Sequence, residues 1–347
     1  MTVSTARYFR TLKTLDTFVD RSLELAPKVS TLSGFHYNRD LLKASVANTY
    51  LETVGNRADS IHLAIKNVPV SNIIWEYRKT VEVVGTRFKL DEQDVVLAFD
   101  YTDENFYGNT QGMWIHGYTG EHGVTGKFKF LTCAIVSSDI PQKIPLISVP
   151  VQLGHDMAKT VCWCLTLVEP LVRSIKLILF DRGFYSKDLM LTLANSNYPY
   201  LIFIPKNSQV KRELENMVDS EKKRIQYQFK VNKKKTVFHG ETTQAFLKQI
   251  FDKRSNKSFD WSFATSQSYI NLDYIIATYK GRWRIETGFR IQDEAQISSK
   301  SKDIKIRFFY FAFEQALQLL WMVLYKNEVT FKQFLLEIYE LCAARFK

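Results

Sequence analysis

Three acidic residues stand out by type and placement. Asp100 closes the apolar part of VVLAFDYTDENFYG and Asp181 closes that of LILFDRGFYS, each after a short run of strand character. In α/β sheets ligands are met at the C-terminal ends of strands, so a carboxylate there faces a crevice rather than the core. Taken singly, each aspartate reads equally well as a strand-terminating turn residue or as the N-cap of a following helix. The third is Glu286, within ATYKGRWRIETGFRIQDEAQ. If Asn271 to Gln296 is one helix, at about 100° per residue, then Tyr279, Arg282, Glu286, Arg290 and Asp293 fall within a stripe about 80° wide. Trp283, Ile285, Phe289 and Ile291 surround that stripe, so the helix is packed on several sides and its polar face needs partners. Trp283 is expected in the core.

Other chemistries are poorly served. No GxxxxGK[ST] loop is present, so ATP use is not indicated. His116 and His122 flank a glycine-rich turn at a spacing that matches no usual zinc arrangement. Cys162 and Cys164 point to different faces of an expected helix. With Cys133 and Cys342 they read as reduced thiols.

These residues must be held by a scaffold. Residues 1–92 carry apolar positions at helical spacing, as in LKTLDTFVDRSLELA and LLKASVANTYLETV, which predicts a helical N-terminal region; its helices either bind DNA or merely pack on the next domain, and no helix-turn-helix pattern is sharp. From Asp94 the period changes: DVVLAFD, MWIHGY and KFKFLTCAIVS read as strands, then Asp156 to Val172 as a helix, IKLILFD as a buried strand, SKDLMLTLAN as a helix and YPYLIFIPK as another buried strand. A meander followed by strands alternating with helices implies an α/β fold, a mixed sheet covered by helices. Asp103 and Glu104, just past Asp100, are expected to solvate a loop. The division is 1–92, 93–205 for the first part of a core, 206–268 for an inserted β-rich subdomain, and 269–347 for the helical end carrying Glu286.

Composition narrows the partner. The 347-residue chain carries 47 Lys plus Arg against 36 Asp plus Glu, a net charge of +11, which favours a polyanion such as nucleic acid or an anionic membrane surface. From Pro205 to Ser258 there are 14 basic residues against 6 acidic ones, so most of the surplus is concentrated there. Within it RIQYQFKVNKKKTVFHG alternates like two antiparallel strands joined at Asn232 to Lys234; the alternative for such a charge run is a solvated face. The stretch FFYFAFEQALQLLWMVLY, Phe308 to Tyr325, approaches spanning length, but Glu314, Gln315 and Gln318 favour a buried core helix. The start lacks the apolar run of a secretory signal, which predicts a cytoplasmic protein, associated with the nucleoid when on DNA.

The motifs support a family resemblance. FDYTDENFYG, the DRGF run in LILFDRGFYS and YKGRWRIETGFR, taken in order, resemble the DDE-type insertion-sequence transposases, in the branch with a β-rich insertion between the second Asp and the Glu and nearest to archaeal-type members. The trailing RFFYFAFEQALQLLW after SSKSKD is similar to that family's C-terminal helix. The resemblance implies a ribonuclease H-like core in which Asp100, Asp181 and Glu286 are catalytic and together hold Mg²⁺ or Mn²⁺, as two ions. The Tyr-x2-Arg-x3-Glu signature falls on Tyr279, Arg282 and Glu286. It implies DNA contacts for Tyr279, at the backbone or by stacking on a displaced base, and for Arg282 at phosphate. Arg290 is expected to compensate for Asp293, which stands where the family has a DNA-contacting Lys. Lys233, Lys234 and Lys235 in the insertion are expected to grip DNA. The implied activity is cleavage at transposon ends and transfer of the freed 3′-hydroxyl into target DNA. The implied partners are the terminal inverted repeats and target, both double-stranded, bound by a homo-oligomer with no membrane partner. A catalytically inert DNA-binding derivative, motivated by Asp293, and a nuclease that cuts without joining are the alternatives.

Overall fold

A computed structural model describes residues 5–25, 34–118, 120, 123–140, 142–233, 236–253 and 255–346. The N-terminal region is helical: α1 (Thr5–Ser22), α2 (Gly34–Ala47), the short α3 (Leu51–Val54), α4 (Ala58–Asn67) and α5 (Val70–Thr86). The chain then enters β1 (Asp94–Phe106), β2 (His116–Gly117), β3 (Gly126–Ile135) and β4 (Pro145–Val151). Next come α6 (Met157–Val168), β5 (Ser174–Phe180), α7 (Lys187–Asn195), β6 (Tyr200–Phe203) and α8 (Ser208–Glu215). Three long strands follow, β7 (Lys222–Lys233), β8 (Thr236–Asp252) and β9 (Lys257–Thr265). The chain ends in α9 (Ile275–Lys280), α10 (Trp283–Gln292), α11 (Ile304–Leu324) and α12 (Phe331–Ala344).

All nine strands belong to one sheet, in the order β2-β3-β1-β5-β6-β9-β8-β7, with β4 on β3. The pairs β1/β5 and β5/β6 are parallel and the others antiparallel. The parallel strands are buried on both faces and therefore read as unbroken apolar runs. The insertion differs from the expected separate subdomain: β9 pairs with β6, so its strands prolong the central sheet. β7 and β8 form the expected hairpin, closing with Lys233 opposite Thr236.

β1 is longer than the sequence indicated. It continues six residues past Asp100 because antiparallel pairing with β3 runs on to Phe106↔Gly126 after the parallel pairing with β5 has ended. Asp103 and Glu104 therefore lie in the strand, not in a loop. MWIHGY contributes only the two residues of β2.

α11 is the core helix: nearly every residue from Ile304 to Met322 is buried. Each of its interrupting polar residues has a partner, although the buried Gln315 amide nitrogen has none. Glu314 accepts the Ile297 N–H at 2.7 Å, Gln315 accepts from the Ser148 hydroxyl at 2.8 Å, and Gln318 donates to the Gly288 carbonyl. Burying such groups is tolerable only with these partners. Among the described residues no helix is long and apolar enough to cross a membrane.

Candidate active site

The sheet register brings the two aspartates together. Parallel pairing of β1 with β5 ends at Phe99↔Phe180, and the next residue on each strand is Asp100 or Asp181. Phe99 and Phe180 stack beneath them at 5.4 Å between ring centroids, fixing both strand ends on a buried base. Asp100 also faces Thr132 across β3, and its Oδ1 accepts the Tyr101 N–H at 2.9 Å. Asp181 begins a 3-10 turn, Arg182–Phe184, without capping it through its side chain. The N-cap alternative is thus not used, and Oδ1 instead accepts the Tyr279 hydroxyl at 3.3 Å.

The expected single helix from Asn271 to Gln296 is broken. α9 stops at Lys280, and Gly281 and Arg282 continue in right-handed helical dihedrals but with bonds three residues back, Gly281 N–H to Thr278 and Arg282 N–H to Tyr279. A Cβ at Gly281 would lie 2.9 Å from the Thr278 carbonyl oxygen and 3.5 Å from that of Val136, so the tight step depends on glycine. Arg284 secures α10 beyond the step, donating to the carbonyls of Val136 at 3.1 Å, Ser137, and Ile140 at 2.6 Å. The sequence offered no sign of that anchor beyond a basic residue in the motif.

Arg282 is the centre of the arrangement. Its Nη1 donates to Asp100 Oδ2 at 2.7 Å and its Nη2 to Glu286 Oε1 at 2.6 Å, joining strand and helix through one guanidinium. It is 5% exposed, and its Nε has no acceptor. Burial works against its charge, yet Asp100, Tyr279, Glu286 and Asp181 outweigh that and raise its pKa. Asp100 is pushed up to about 6, first by burial and further by Glu286 and Asp181, against the opposing Arg282 charge and Tyr101 N–H. The charges of Glu286 and Asp181 are thus both felt at Asp100.

The donor set suits a hard divalent cation: three carboxylates, one pushed toward protonation, around a place where a cation already sits. Among the described residues no three His, Cys, Asp or Glu side chains stand at metal-holding separation. Arg282 occupies the space between Asp100 and Glu286, so close approach of the carboxylates requires its withdrawal.

Several expected DNA ligands are placed otherwise. Tyr279 is 2% exposed, its ring packed against Phe203, Trp261 and Phe263, which excludes stacking on a displaced base. Burial raises its hydroxyl pKa, helped by Asp181. Trp283, expected in the core, is instead 44% exposed beside the site. Arg290 is exposed on α10 and Asp293 follows that helix in a 3-10 turn. Lys233 pairs with Asp188, while Lys234 and Lys235 lie outside the described residues. Other cations of the insertion are also matched: Lys222 by Asp273, and Lys223 by Glu213 at 3.4 Å.

A mixed sheet flanked by helices thus presents an aspartate just past the paired ends of two adjacent parallel strands and a glutamate on a later helix. A family model described as the transposase DDE domain matches residues 91–302, and the chain belongs to that family. A solved structure of a piggyBac transposase synaptic complex with hairpin DNA is similar in fold, with a TM-score of 0.59 at 12% identity over 97% of this chain and 79% of that one. That likeness identifies the mixed sheet flanked by helices as a ribonuclease H-like DDE fold. No curated protein sequence matches.

Proposed function

We propose that the chain is a metal-dependent DNA transposase whose reacting centre is Asp100, Asp181 and Glu286. The observation that carries the reading is their convergence, two aspartates in adjacent register and the glutamate reached through the shared Arg282. The three carboxylates would hold Mg²⁺ or Mn²⁺, which when bound supplies Lewis acidity at the oxygens of the reacting phosphate. Burial works against the charge on Asp100, so a cation beside it favours the ionised form. The Tyr279 hydroxyl orients Asp181, and the stacked Phe99 and Phe180 keep the two strand ends from separating. Arg282, once released from the carboxylates, offers parallel N–H donors that match a phosphate. Its burial keeps water from competing for them. The reaction in this reading is hydrolysis at a transposon end, followed by attack of the freed 3′-hydroxyl on a target phosphodiester, with double-stranded DNA as substrate in both steps and a homo-oligomer holding two ends.

The test is direct. Purified protein with Mg²⁺ or Mn²⁺ and the terminal inverted repeats that flank its gene is expected to nick those ends and join them to target DNA. Asp181→Asn is expected to abolish both steps while leaving DNA binding nearly intact. Binding without any cleavage by the unaltered protein would establish the inert alternative suggested by Asp293. Cleavage without joining would establish the nuclease.

A further inference from the structure

A basic surface open to an anion lies outside the insertion, on the N-terminal helices. α1 and α5 lie side by side and enclose a groove of about 240 Å³. Each helix lines it at the same spacing: Arg10, Lys13, Thr14, Thr17 and Arg21 from α1, and Glu76, Lys79, Thr80 and Val83 from α5 with Arg87 just past its end. These are positions i, i+3, i+4, i+7 and i+11, so each helix commits one face over about 16 Å of its axis. Five cations meet one carboxylate there, and that carboxylate, Glu76, is taken by Lys79 at 2.6 Å. Among the described residues Arg10, Lys13, Arg21 and Arg87 have no ion pair, and all four are exposed. In the insertion Lys222, Lys223 and Lys233 are each matched to a carboxylate, while Lys211, Arg212, Lys230, Lys253 and Lys257 are exposed and, among the described residues, without an ion pair.

We propose that this groove is a docking site for the sugar-phosphate backbone of duplex DNA, separate from the carboxylate centre and indifferent to base sequence. Four unmatched positive charges along about 16 Å correspond to one strand's phosphates over about five base pairs, at 3.4 Å each. The threonine hydroxyls of Thr14, Thr17 and Thr80 are turned back to their own helices, donating to Arg10, Lys13 and Glu76 carbonyls. Recognition therefore rests on the charged side chains, which position DNA without reading it. A lipid surface is a poorer match, because an interfacial helix buries a broad apolar face. Here Val83 is the only exposed apolar residue among those lining the groove, Phe18 being buried at its floor. The site shares the polyanion with the proposed activity but not its residues, so either can fail alone.

The experiment compares the full-length protein with a triple variant, Arg10→Gln, Lys13→Gln and Arg21→Gln, by fluorescence anisotropy on a labelled duplex of arbitrary sequence in chelator, over a range of salt. The slope of log affinity against log salt is expected to become shallower by roughly 3, and affinity near 0.15 M salt to fall about a hundredfold. A second variant that keeps the charge, Arg10→Lys with Arg21→Lys, is expected to retain the original slope, which separates lost charge from lost fold. An unchanged slope in the triple variant overturns the proposal. So does a loss that the charge-keeping variant shares, or a loss of binding to anionic vesicles with DNA binding intact. Cleavage assays are not involved, so a chain that never cuts DNA still tests the groove.

Discussion

Glu104→Gln isolates one buried charge behind the reacting centre. Glu104 lies four residues beyond Asp100 on β1, on the same face of the strand, with its side chain 13% exposed. Arg307 donates to its Oε2 at 3.2 Å, and the Arg307 guanidinium itself rests over the Phe128 ring at 5.0 Å. Burial pushes the Glu104 carboxyl up to about 7; Arg307 opposes this and Asp293 adds to it, while Glu314 nearby is itself held well above the carboxylate range by burial and by Glu104. Since the folded pKa exceeds that of an unfolded glutamate, the proton on Glu104 supports the fold fully below about pH 4.5, and that support is lost as pH rises through about 7. A difference of about 2.5 pH units between the two states corresponds to about 3 kcal/mol. Glutamine keeps the Arg307 acceptor and cannot ionise. Thermal unfolding in chelator is therefore expected to give nearly equal midpoints for variant and wild type at pH 4.5. By pH 8.5 the variant should unfold higher by about 6 °C, at about 2 °C per kcal/mol for a chain of this size. Two melting curves that stay parallel across that range would refute the reasoning, because they would mean that Glu104 is solvated or already ionised in the fold.

Arg282→Gln removes the guanidinium that joins Asp100 to Glu286. With Arg282 and Asp100 side chains 6% and 16% exposed, the variant is expected to lose about 3 kcal/mol in chelator and to be raised more by Mn²⁺ than wild type is, as read by thermal unfolding in both conditions; an identical Mn²⁺ response would show that Arg282 does not occupy the cation's place. Gln318→Leu leaves the Gly288 carbonyl without its donor between α10 and α11, at a cost of about 1 to 3 kcal/mol. Because Gly288 lies two residues from Glu286, the same variant is expected to lower the cleavage rate while leaving DNA affinity unchanged, and a proportional fall in both would assign Gln318 to stability alone.

The sheet's order was legible where residues are buried on both faces, since unbroken apolar runs such as IKLILFD have few other uses. The acidic positions followed from where those runs stop. Asp100 was found for a partly mistaken reason: it marks the end of parallel pairing and not of its strand, because β3 holds β1 in an extended course that polar residues alone could not announce. Tyr279 and Trp283 exchange their expected environments for a related reason. A three-residue step at Gly281 inside a helical stretch alters which side chains face inward, and a period of 3.6 cannot register it. Arg307 and Arg284 were not singled out at all, and Glu104 was expected to solvate a loop, since ion pairs and carbonyl anchors across 140 or more residues leave no periodicity.

Charge followed a different logic from the carboxylates. Concentration along the sequence pointed to the insertion, yet sequence density counts cations without their partners. Folding places Asp188 and Asp273 against Lys233 and Lys222 of β7, so part of that surplus is matched from outside the stretch, while Glu213 on Lys223 already belongs to it. Arg10, Lys13 and Arg21 are spaced by three and eight residues and never form a run, but a helix turns them to one side and α5 sets Arg87 in the same groove. For a polyanion the relevant quantity is unmatched charge per length of surface. The helical N-terminal region, whose composition looks ordinary, thus gathers four unmatched cations in one groove, which density along the sequence does not register, and the strands of the insertion extend the sheet.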